Sequence, residues 1–383
     1  MAVVTTVDPE SLGVDAGRLD ELRSRVRREI DSGLLPSCQF ALAKDGKLAA
    51  FEAVGDAGSE TRYVIFSATK AFVASAAWLL IGEGSLDIDS RVAEYIPEFA
   101  TNGKDVVTVE QVMLHTSGFP RAPLGPPAWA DRDRRLEAFA KWRLNWEPGT
   151  AHEYHPTSAH WVLAEIIERI SGRDYRVFVH ERVTGALGLP RVVGIPPDEQ
   201  DGIAELALCG EPASPDELEA IFGVPELPVT EVTDDALLSF NRADVRAVGV
   251  PGGGGVATAA TAALFYQALL HNPDGLWDPD VLADATGRVR NTFPDLLALG
   301  APANRALGVV VAGDDGNANR RGFGHTQSPR TFGHNGAGGQ IAWADPATGL
   351  SFCYLTNGLD QHQLREWRRT TGIASRAANC VVA

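Results

Sequence analysis

Lysine is scarce in this chain, and basic residues are outnumbered by acidic ones. Among 383 residues, lysine and arginine together number 34 and acidic residues number 50, which gives a formal net charge of −16. A surface this acidic repels phosphate backbones and anionic lipid, so neither nucleic acid nor a membrane is an expected partner. Because lysine is so rare, each one is worth locating individually. The lysines are Lys44, Lys47, Lys70, Lys104 and Lys141.

Paired cysteines, a secretory leader and a membrane-spanning run are also missing from the sequence. The four cysteines form no C-x-x-C pair and no metal-ligand spacing, so we expect reduced, mostly buried thiols. They are Cys38, Cys209, Cys353 and Cys380. The N-terminal 13 residues are polar and acidic, and the longest apolar stretch, residues 71–81, is too short to cross a bilayer. These absences predict a cytoplasmic protein with no metal and no cofactor, and they leave its oligomeric state open.

Several familiar catalytic signatures are absent as well. No G-x-S-x-G occurs, which removes the nucleophile of an ordinary α/β-hydrolase. The glycine run at residues 252–255 lacks the Lys-Ser/Thr of a phosphate-binding loop, and we expect a loop beside an active site instead. His152, His155 and His160 cluster without the His-Glu-x-x-His spacing of a zinc site. We therefore interpret them as neutral histidines of the surface or of a pocket wall.

Local patterns at both ends of the chain predict a mixture of helix and strand. Asp15 can cap a first amphipathic helix, which Gly33 ends. Residues 37–43 and 48–54 are β-like runs joined by a turn containing Asp-Gly, which is a hairpin signal. Residues 67–81 predict an apolar helix. Strand-like runs return at residues 307–311, 340–345 and 350–356.

The middle of the chain has a different character. From residue 87 to 244, helical patterns alternate with Pro- and Gly-rich loops, and residues 194–241 are irregular and are expected to shape a pocket. A chain of this length suits two domains. We predict an α+β fold in which residues 1–86 and 245–383 form an antiparallel sheet flanked by helices (α/β/α). A mainly helical domain is inserted at residues 87–244.

The most informative segment contains Ser-x-x-Lys, at Ser67 and Lys70, a spacing that occurs once in the chain. Positions i and i+3 share a face of a helix, so the two side chains can touch. Ser67 lies at the expected start of the helix, where the dipole favours negative charge on its oxygen. The residues after Lys70 are apolar, and burial lowers the pKa of a lysine. Such a lysine can take the serine proton and create a nucleophile.

This segment resembles the first motif of the serine β-lactamase and penicillin-binding-protein superfamily. It is most similar to the class C β-lactamase-like branch, which includes family VIII carboxylesterases. Residues 112–119 resemble the structural His-Thr-Ser-Gly turn of that branch, and residues 146–156 its second motif, usually Tyr-x-Asn. Residues 333–339 resemble its third motif, usually Lys-Thr-Gly or His-x-Gly. The resemblance spans roughly residues 15–358 and implies a β-lactamase-like fold.

The resemblance also implies a role for each catalytic residue that matches. Ser67 is the expected nucleophile that forms an acyl-enzyme, and Lys70 shares its proton. Tyr154 is expected to act as a base toward Ser67 and as an acid toward the leaving group. Because a phenol needs a nearby cation to lose its proton near neutrality, Lys70 and Tyr154 are expected to titrate as one coupled pair.

The third motif is expected to bind substrate. The backbone amides of Ser67 and Ala337 would form the oxyanion hole. His334 would stabilise charge on the tetrahedral intermediate or bind a polar group of the substrate. Asn335 and Gly336 are expected to complete this substrate-binding turn.

Two departures from the family pattern bear on the substrate. Pro156 stands where the branch often has an asparagine that contacts an amide or β-lactam side chain. His334 replaces the motif lysine that anchors a substrate carboxylate in β-lactamases. Both changes favour a neutral ester. His115 and Ser117 belong to the structural turn in this family, and we do not expect catalysis there.

We therefore predict a serine carboxylesterase that cleaves short or medium acyl esters of a small molecule. Three alternatives stay open at this point. The same scaffold could hydrolyse an amide, a β-lactam or a D-amino-acid peptide, and it could transfer the acyl group to an acceptor other than water. A degenerate, non-enzymatic binding protein is the third alternative, because a fold can lose its chemistry and keep its shape.

Overall fold

A six-stranded antiparallel sheet forms the framework of the protein. The computed structural model describes residues 5–226 and 232–381, so residues 1–4, positions 227–231 of the irregular 194–241 segment and residues 382–383 lie outside it. The strands are β1 (Ser37–Lys44), β2 (Lys47–Gly55), β3 (Tyr63–Phe66), β4 (Ala207–Cys209), β5 (Gly255–Ala257), β6 (Val310–Val311), β7 (Phe332–Gly333), β8 (Ile341–Asp345), β9 (Leu350–Thr356) and β10 (Gly358–Asp360). The main sheet has the order β2-β1-β9-β8-β7-β6. Two short pairs, antiparallel β3–β5 and parallel β4–β10, complete the described strands.

Helices fill the segment between β3 and β5 and both faces of the main sheet. They are α1 (Ala16–Asp31), α2 (Thr69–Gly82), α3 (Val92–Tyr95), α4 (Val109–Met113), α5 (Arg132–Lys141), α6 (Ser158–Ser171), α7 (Tyr175–Val179), α8 (Pro215–Phe222), α9 (Asp234–Leu238), α10 (Ala243–Val248), α11 (Ala259–His271), α12 (Pro279–Gly287) and α13 (Gln363–Ala378). The sequence patterns gave no individual prediction for α3, α8, α9, α10 and α12. A start signal for α8 was present, because Ser214 and Glu217 form a capping box.

Side chains of β1 alternate between two hydrophobic cores. Phe40 and Leu42 belong to a core shared with α1 and α13, whereas Ala41 and Ala43 face the larger core that contains α2 and α11. Alternation of this kind is what a strand buried on both faces requires. Helices therefore cover both faces of the sheet, which confirms the predicted α/β/α arrangement.

The division of the chain into two domains stays a prediction. Strand β4 lies inside the segment expected to form the helical insertion, yet it pairs with β10 near the C-terminus.

The predicted strand at residues 307–311 is shorter than expected and covers only Val310–Val311. The reason is a turn at Gly308, whose φ of 88° lies in the left-handed region and whose amide donates to Ala306 O at 2.8 Å.

Helix α2 carries the Ser-x-x-Lys segment through the centre of the larger core. Every residue from Thr69 to Leu80 is buried, and the Lys70 side chain has no exposed surface. The helix begins two residues after Ser67 instead of at Ser67 itself. No helix among residues 5–226 and 232–381 combines the length and the apolar character needed to cross a membrane.

Candidate active site

Ser67 lies in a tight turn between β3 and α2. Phe66, the last residue of β3, has a φ of 44°, which is rare for a bulky residue. The turn is closed by the Lys70 amide, which donates to Ser67 O at 3.0 Å, and by the Thr69 hydroxyl, which donates to Phe66 O at 2.5 Å. Backbone strain of this kind is found where a structure must hold one residue in a fixed position. The turn presents Ser67 at the wall of a cavity.

The structure brings the three predicted catalytic side chains together. The Tyr154 hydroxyl donates to Ser67 Oγ at 2.8 Å across 87 positions of sequence. The Nζ atom of Lys70 lies 3.3 Å from Ser67 Oγ and 4.8 Å from the centroid of the Tyr154 ring. A nucleophile and two possible proton acceptors are therefore within reach of one another.

Lys70 is held by two backbone carbonyl groups. Its Nζ atom donates to Pro156 O at 2.7 Å and to Gly252 O at 2.6 Å. Burial, and then the charge of Arg305, hold the pKa of Lys70 well below its usual value. The carbonyl of Gly252 belongs to the four-glycine run, which lies beside the site as predicted.

Tyr154 is driven toward its neutral form. Burial raises the pKa of its phenol to about 12, although the charge of Arg305 and the bond to Ser67 act in the opposite direction. At neutral pH the phenol therefore keeps its proton and donates it to Ser67 Oγ. Burial thus favours the uncharged form of both groups, and their titration as one coupled pair stays a prediction.

The third motif places His334 in the cavity wall in a defined tautomer. His334 is 6 % exposed, and burial holds the pKa of its ring well below the usual value. Its Nδ1 atom lies 2.8 Å from Asn335 O, and a carbonyl can only accept, so Nδ1 carries the proton. The buried Nε2 atom, which has no partner among the described residues, is therefore an acceptor. It can bind an N–H or O–H group of a substrate but cannot stabilise an oxyanion.

Polar groups of Asn335 and Gly336 form hydrogen bonds that stabilise the turn. The Asn335 side chain donates to Gly322 O and accepts from the Ala342 amide at 3.2 Å. The amide of Gly336 donates to Gln340 O at 3.0 Å. A Cβ atom at Gly336 would overlap the carbonyl oxygen of Ile65, so glycine is needed for the close approach to β3. These bonds shape the turn, and Asn335 also lines the cavity, so its predicted role in substrate binding stays a prediction.

Two backbone amides at the cavity are free to bind an oxygen. Within the described parts of the chain, the amides of Ser67 and Ala337 donate to no protein acceptor. Both residues line the same cavity. Two unpaired N–H donors at one cavity are the groups that the predicted oxyanion hole would use.

The histidines that the sequence analysis placed on a surface or pocket wall are buried. His155 is fully buried; its Nδ1 atom lies 2.7 Å from Glu153 O, and its Nε2 atom accepts from Ser117 Oγ at 3.1 Å and from the Phe119 amide at 3.2 Å. Burial lowers the pKa of His155 to about 3. The neutral ring therefore ties the His-Thr-Ser-Gly turn to the segment that carries Tyr154.

His115 supports the same segment from the other side. Its Nδ1 atom accepts from the His155 amide at 3.1 Å, and its ring lies 4.9 Å from the Tyr154 ring. Burial holds the pKa of His115 well below its usual value, so it is neutral. Ser117 and His115 thus contact the second motif and have the structural role expected of them.

Arg305 is a site residue that the sequence analysis missed. It is 5 % exposed, and its guanidinium carbon lies 4.9 Å from the centroid of the Tyr154 ring. Its Nη2 atom lies 3.9 Å from Asp295 Oδ2, and Asp295 in turn lies 3.3 Å from His152 Nε2. The one available signal was an arginine directly before the apolar run at residues 306–312.

The cavity in front of Ser67 has a volume of about 340 Å³. Tyr154, Arg305, His334 and Ala337 line it beside Ser67. Its mouth carries three exposed apolar side chains, Val232, Leu296 and Leu297, which are 38 %, 58 % and 48 % exposed. Apolar groups left in water at a cavity mouth indicate a surface that binds an apolar partner.

Comparison with known proteins agrees with this geometry. A family model described as Beta-lactamase matches residues 22–374. The chain belongs to the β-lactamase family. The α+β, β-lactamase-like fold is thereby established, and the family resemblance carried by the four motifs is confirmed.

Relatives of this β-lactamase-family protein carry names of several activities. A solved penicillin-binding-protein homologue from Caulobacter crescentus is 28 % identical, with a TM-score of 0.77 over 96 % of this chain and 99 % of that one. A solved family VIII carboxylesterase is 26 % identical, with a TM-score of 0.76 over 95 % and 99 % of the two chains. An Escherichia coli protein provisionally named a D-alanyl-D-alanine carboxypeptidase is 26 % identical over 93 % of this chain and 86 % of its own length. The protein is a hydrolase of this superfamily.

Proposed function

We propose that the protein is a serine carboxylesterase that cleaves short or medium acyl esters through an acyl-enzyme on Ser67. The observation that carries the proposal is the pair of contacts at Ser67 Oγ, 2.8 Å from the Tyr154 hydroxyl and 3.3 Å from Lys70 Nζ. A serine hydroxyl becomes a nucleophile when a neighbouring base takes its proton. Lys70 is placed to be that base, because burial favours its uncharged form.

The proposed reaction has two halves. In the first, the Ser67 proton passes to Lys70 while Oγ bonds to the ester carbonyl carbon, and the amides of Ser67 and Ala337 bind the resulting oxyanion. When the intermediate collapses, the C–O bond of the ester breaks, the leaving alkoxide takes the proton of Tyr154, and Lys70 returns a proton to Tyr154. Water then repeats the sequence on the acyl-enzyme and releases the acid.

The surroundings of Ser67 support an uncharged ester as the substrate. His334 stands at the third motif as a neutral acceptor and offers no cation to a substrate carboxylate. Exposed leucines at the cavity mouth suit an acyl chain. All four cysteines are free thiols, which is in line with the cytoplasm as the proposed compartment. No partner other than the ester is part of the proposal.

The decisive test is hydrolysis of p-nitrophenyl esters by purified protein. Ser67→Ala should abolish turnover, and intact-mass analysis of the parent should detect one acyl group on Ser67. Ser75→Ala is a matched control, because Ser75 lies on the same helix with its hydroxyl donating to Phe72 O at 2.8 Å. Retained turnover by Ser67→Ala refutes the assignment.

Amide hydrolysis is the second candidate, and the name of the Escherichia coli relative, provisionally a D-alanyl-D-alanine carboxypeptidase, favours it. A panel of nitrocefin, D-alanyl anilides and p-nitrophenyl esters separates the two. The panel run with an added alcohol also reports acyl transfer, because water and alcohol compete for one acyl-enzyme. A fluorophosphonate probe that fails to label Ser67 would instead favour a non-enzymatic binding protein.

A further inference from the structure

Arg305 is a buried charge with unusually few partners. Across residues 5–226 and 232–381, neither its Nε nor its Nη1 atom has a hydrogen-bond partner, and its contact with Asp295 is long, at 3.9 Å. A buried charge that lacks hydrogen bonds is costly to keep in a fold. A group of this kind calls for an explanation in terms of what it faces.

What Arg305 faces is the catalytic trio. Its guanidinium carbon lies 4.9 Å from the Tyr154 ring centroid, and Lys70 Nζ lies 4.8 Å from the same point. The distance between Lys70 Nζ and the guanidinium carbon of Arg305 is therefore at most the sum of these two distances. An arginine stays protonated even where burial lowers its pKa, so its charge is fixed.

Few other groups near Lys70 and Tyr154 carry charge. Burial lowers the pKa of every histidine in a set that packs around them, which leaves these rings neutral. The set is His115, His155, His160 and His334. Asp295 is the facing acidic group; its pKa is lowered, because its bonds and the charge of Arg305 outweigh the effect of burial. His152 contacts Asp295. Farther out in the cavity wall, Arg121 pairs with Glu153, Arg321 pairs with Asp315, and Arg320 also lines the wall.

The hydrogen bonds of Lys70 fit an uncharged amine. A neutral amine has two N–H groups, and the two short bonds to Pro156 O and Gly252 O use both of them. In that form its lone pair faces Ser67 Oγ at 3.3 Å and can accept the hydroxyl proton, whereas an ammonium would donate a third bond to the same oxygen. The Ser67 oxygen also accepts from Tyr154. In this arrangement every side-chain N–H and O–H group of Lys70, Ser67 and Tyr154 has an acceptor.

We propose that Arg305 is a positioning residue whose fixed positive charge keeps Lys70 uncharged at neutral pH and so makes it the base for Ser67. The inference rests on the proposed function. A positive charge nearby disfavours a second one on Lys70 and favours negative charge on Tyr154 when its proton leaves. Arg305 thereby takes the place of the cation that His334 does not supply at the third motif.

The test is the pH dependence of kcat/KM for a p-nitrophenyl ester in three variants. Arg305→Met removes the charge at similar volume. The acidic limb of its pH profile, where kcat/KM falls as Lys70 is protonated, should move to higher pH by on the order of one unit, because the repulsion between Arg305 and protonated Lys70 is lost. Arg305→Lys keeps the charge, so its acidic limb should stay in place. Asp295→Asn removes the opposing charge, and its acidic limb should move to lower pH.

A control and the outcomes separate this inference from the proposed function. Arg330→Met, an exposed arginine, changes the net charge equally and should leave the profile unmoved. Slower turnover of Arg305→Met with an unmoved acidic limb would show a merely structural role and overturn the inference. If Arg305→Met does not fold, an Asp295→Asn limb that stays in place or moves to higher pH overturns it. Ester hydrolysis retained by Ser67→Ala would instead contradict the proposed function.

Discussion

Lys70 Nζ donates a 2.6 Å hydrogen bond to the carbonyl oxygen of Gly252, which ties the four-glycine run to the candidate base. This bond joins two segments that are 182 positions apart in sequence. A Cβ atom added at Gly252 would lie 2.7 Å from Pro156 O and 3.4 Å from Lys70 Nζ. The run therefore needs glycine at this position so that backbone can approach the lysine closely.

Gly252→Ala should lower kcat for ester hydrolysis by roughly 10- to 100-fold, because displacement of the carbonyl groups that hold Lys70 misplaces the base. Steady-state kinetics at the pH of the parent's plateau will measure the loss. Gly253→Ala is the matched control: a Cβ atom there meets nothing within 4 Å. Equal losses in both variants would contradict the role assigned to the Gly252 carbonyl.

Local sequence signals predicted the elements that hold the site with fair accuracy. Asp15 caps α1 by accepting from the Arg18 amide at 2.8 Å, and Asp45 and Gly46 form the expected hairpin turn with φ angles of 52° and 72°. Uniform apolar character correctly predicted that Lys70 is buried. Such features depend on residues close together in the chain, which is why sequence alone reveals them.

Other parts of the site depend on contacts between distant segments. Arg305 reaches Tyr154 from a turn before β6, and no local pattern distinguishes it from the other arginines. His334 was expected to stabilise charge or bind a polar group, but which of the two it can do depends on its tautomer. The position of Asn335 O fixes that tautomer. Short helices such as α9 were missed because five residues hold too little periodicity.

His155→Ala should destabilise the fold and slow the reaction. The substitution removes the partner of two buried groups, the Ser117 hydroxyl and the Phe119 amide, and of the half-buried Glu153 carbonyl. An unsatisfied buried group costs about 1–3 kcal/mol. We expect the free energy of unfolding to fall by about 2–6 kcal/mol. Urea denaturation measures the change, with His325→Ala, at an exposed position, as the control. An unchanged midpoint would contradict the proposed link between the turn and the second motif.

The pH profile of the parent enzyme should distinguish the two candidate bases. Because the pKa of Lys70 is lowered, kcat/KM should fall on acidification as Lys70 takes up a proton, and it should reach a plateau above that step. The pKa of Tyr154 is raised to about 12, so no loss of the phenol proton should occur on that plateau. Stopped-flow measurement of acylation checks this. A rate that rises only as the phenol ionises would make Tyr154 the base.

Leu296 and Leu297 should set the preference for acyl-chain length. Both are exposed at the cavity mouth, and a chain that extends past the cavity would bury them, with about 0.8 kcal/mol for each methylene removed from water. Replacing both with alanine should lower kcat/KM for an octanoate ester by about 3- to 10-fold while an acetate ester, too short to reach them, is unaffected.

The comparison of the two esters is what makes this prediction specific, because general damage to the site would slow both. Val106→Ala is the control, since Val106 is 47 % exposed and is not among the residues that line the cavity. Equal losses on acetate and octanoate would mean that the leucines support the cavity wall without contacting the acyl chain. No loss on either ester would mean that the chain leaves the cavity by another side, and Val232 would then be the next side chain to replace.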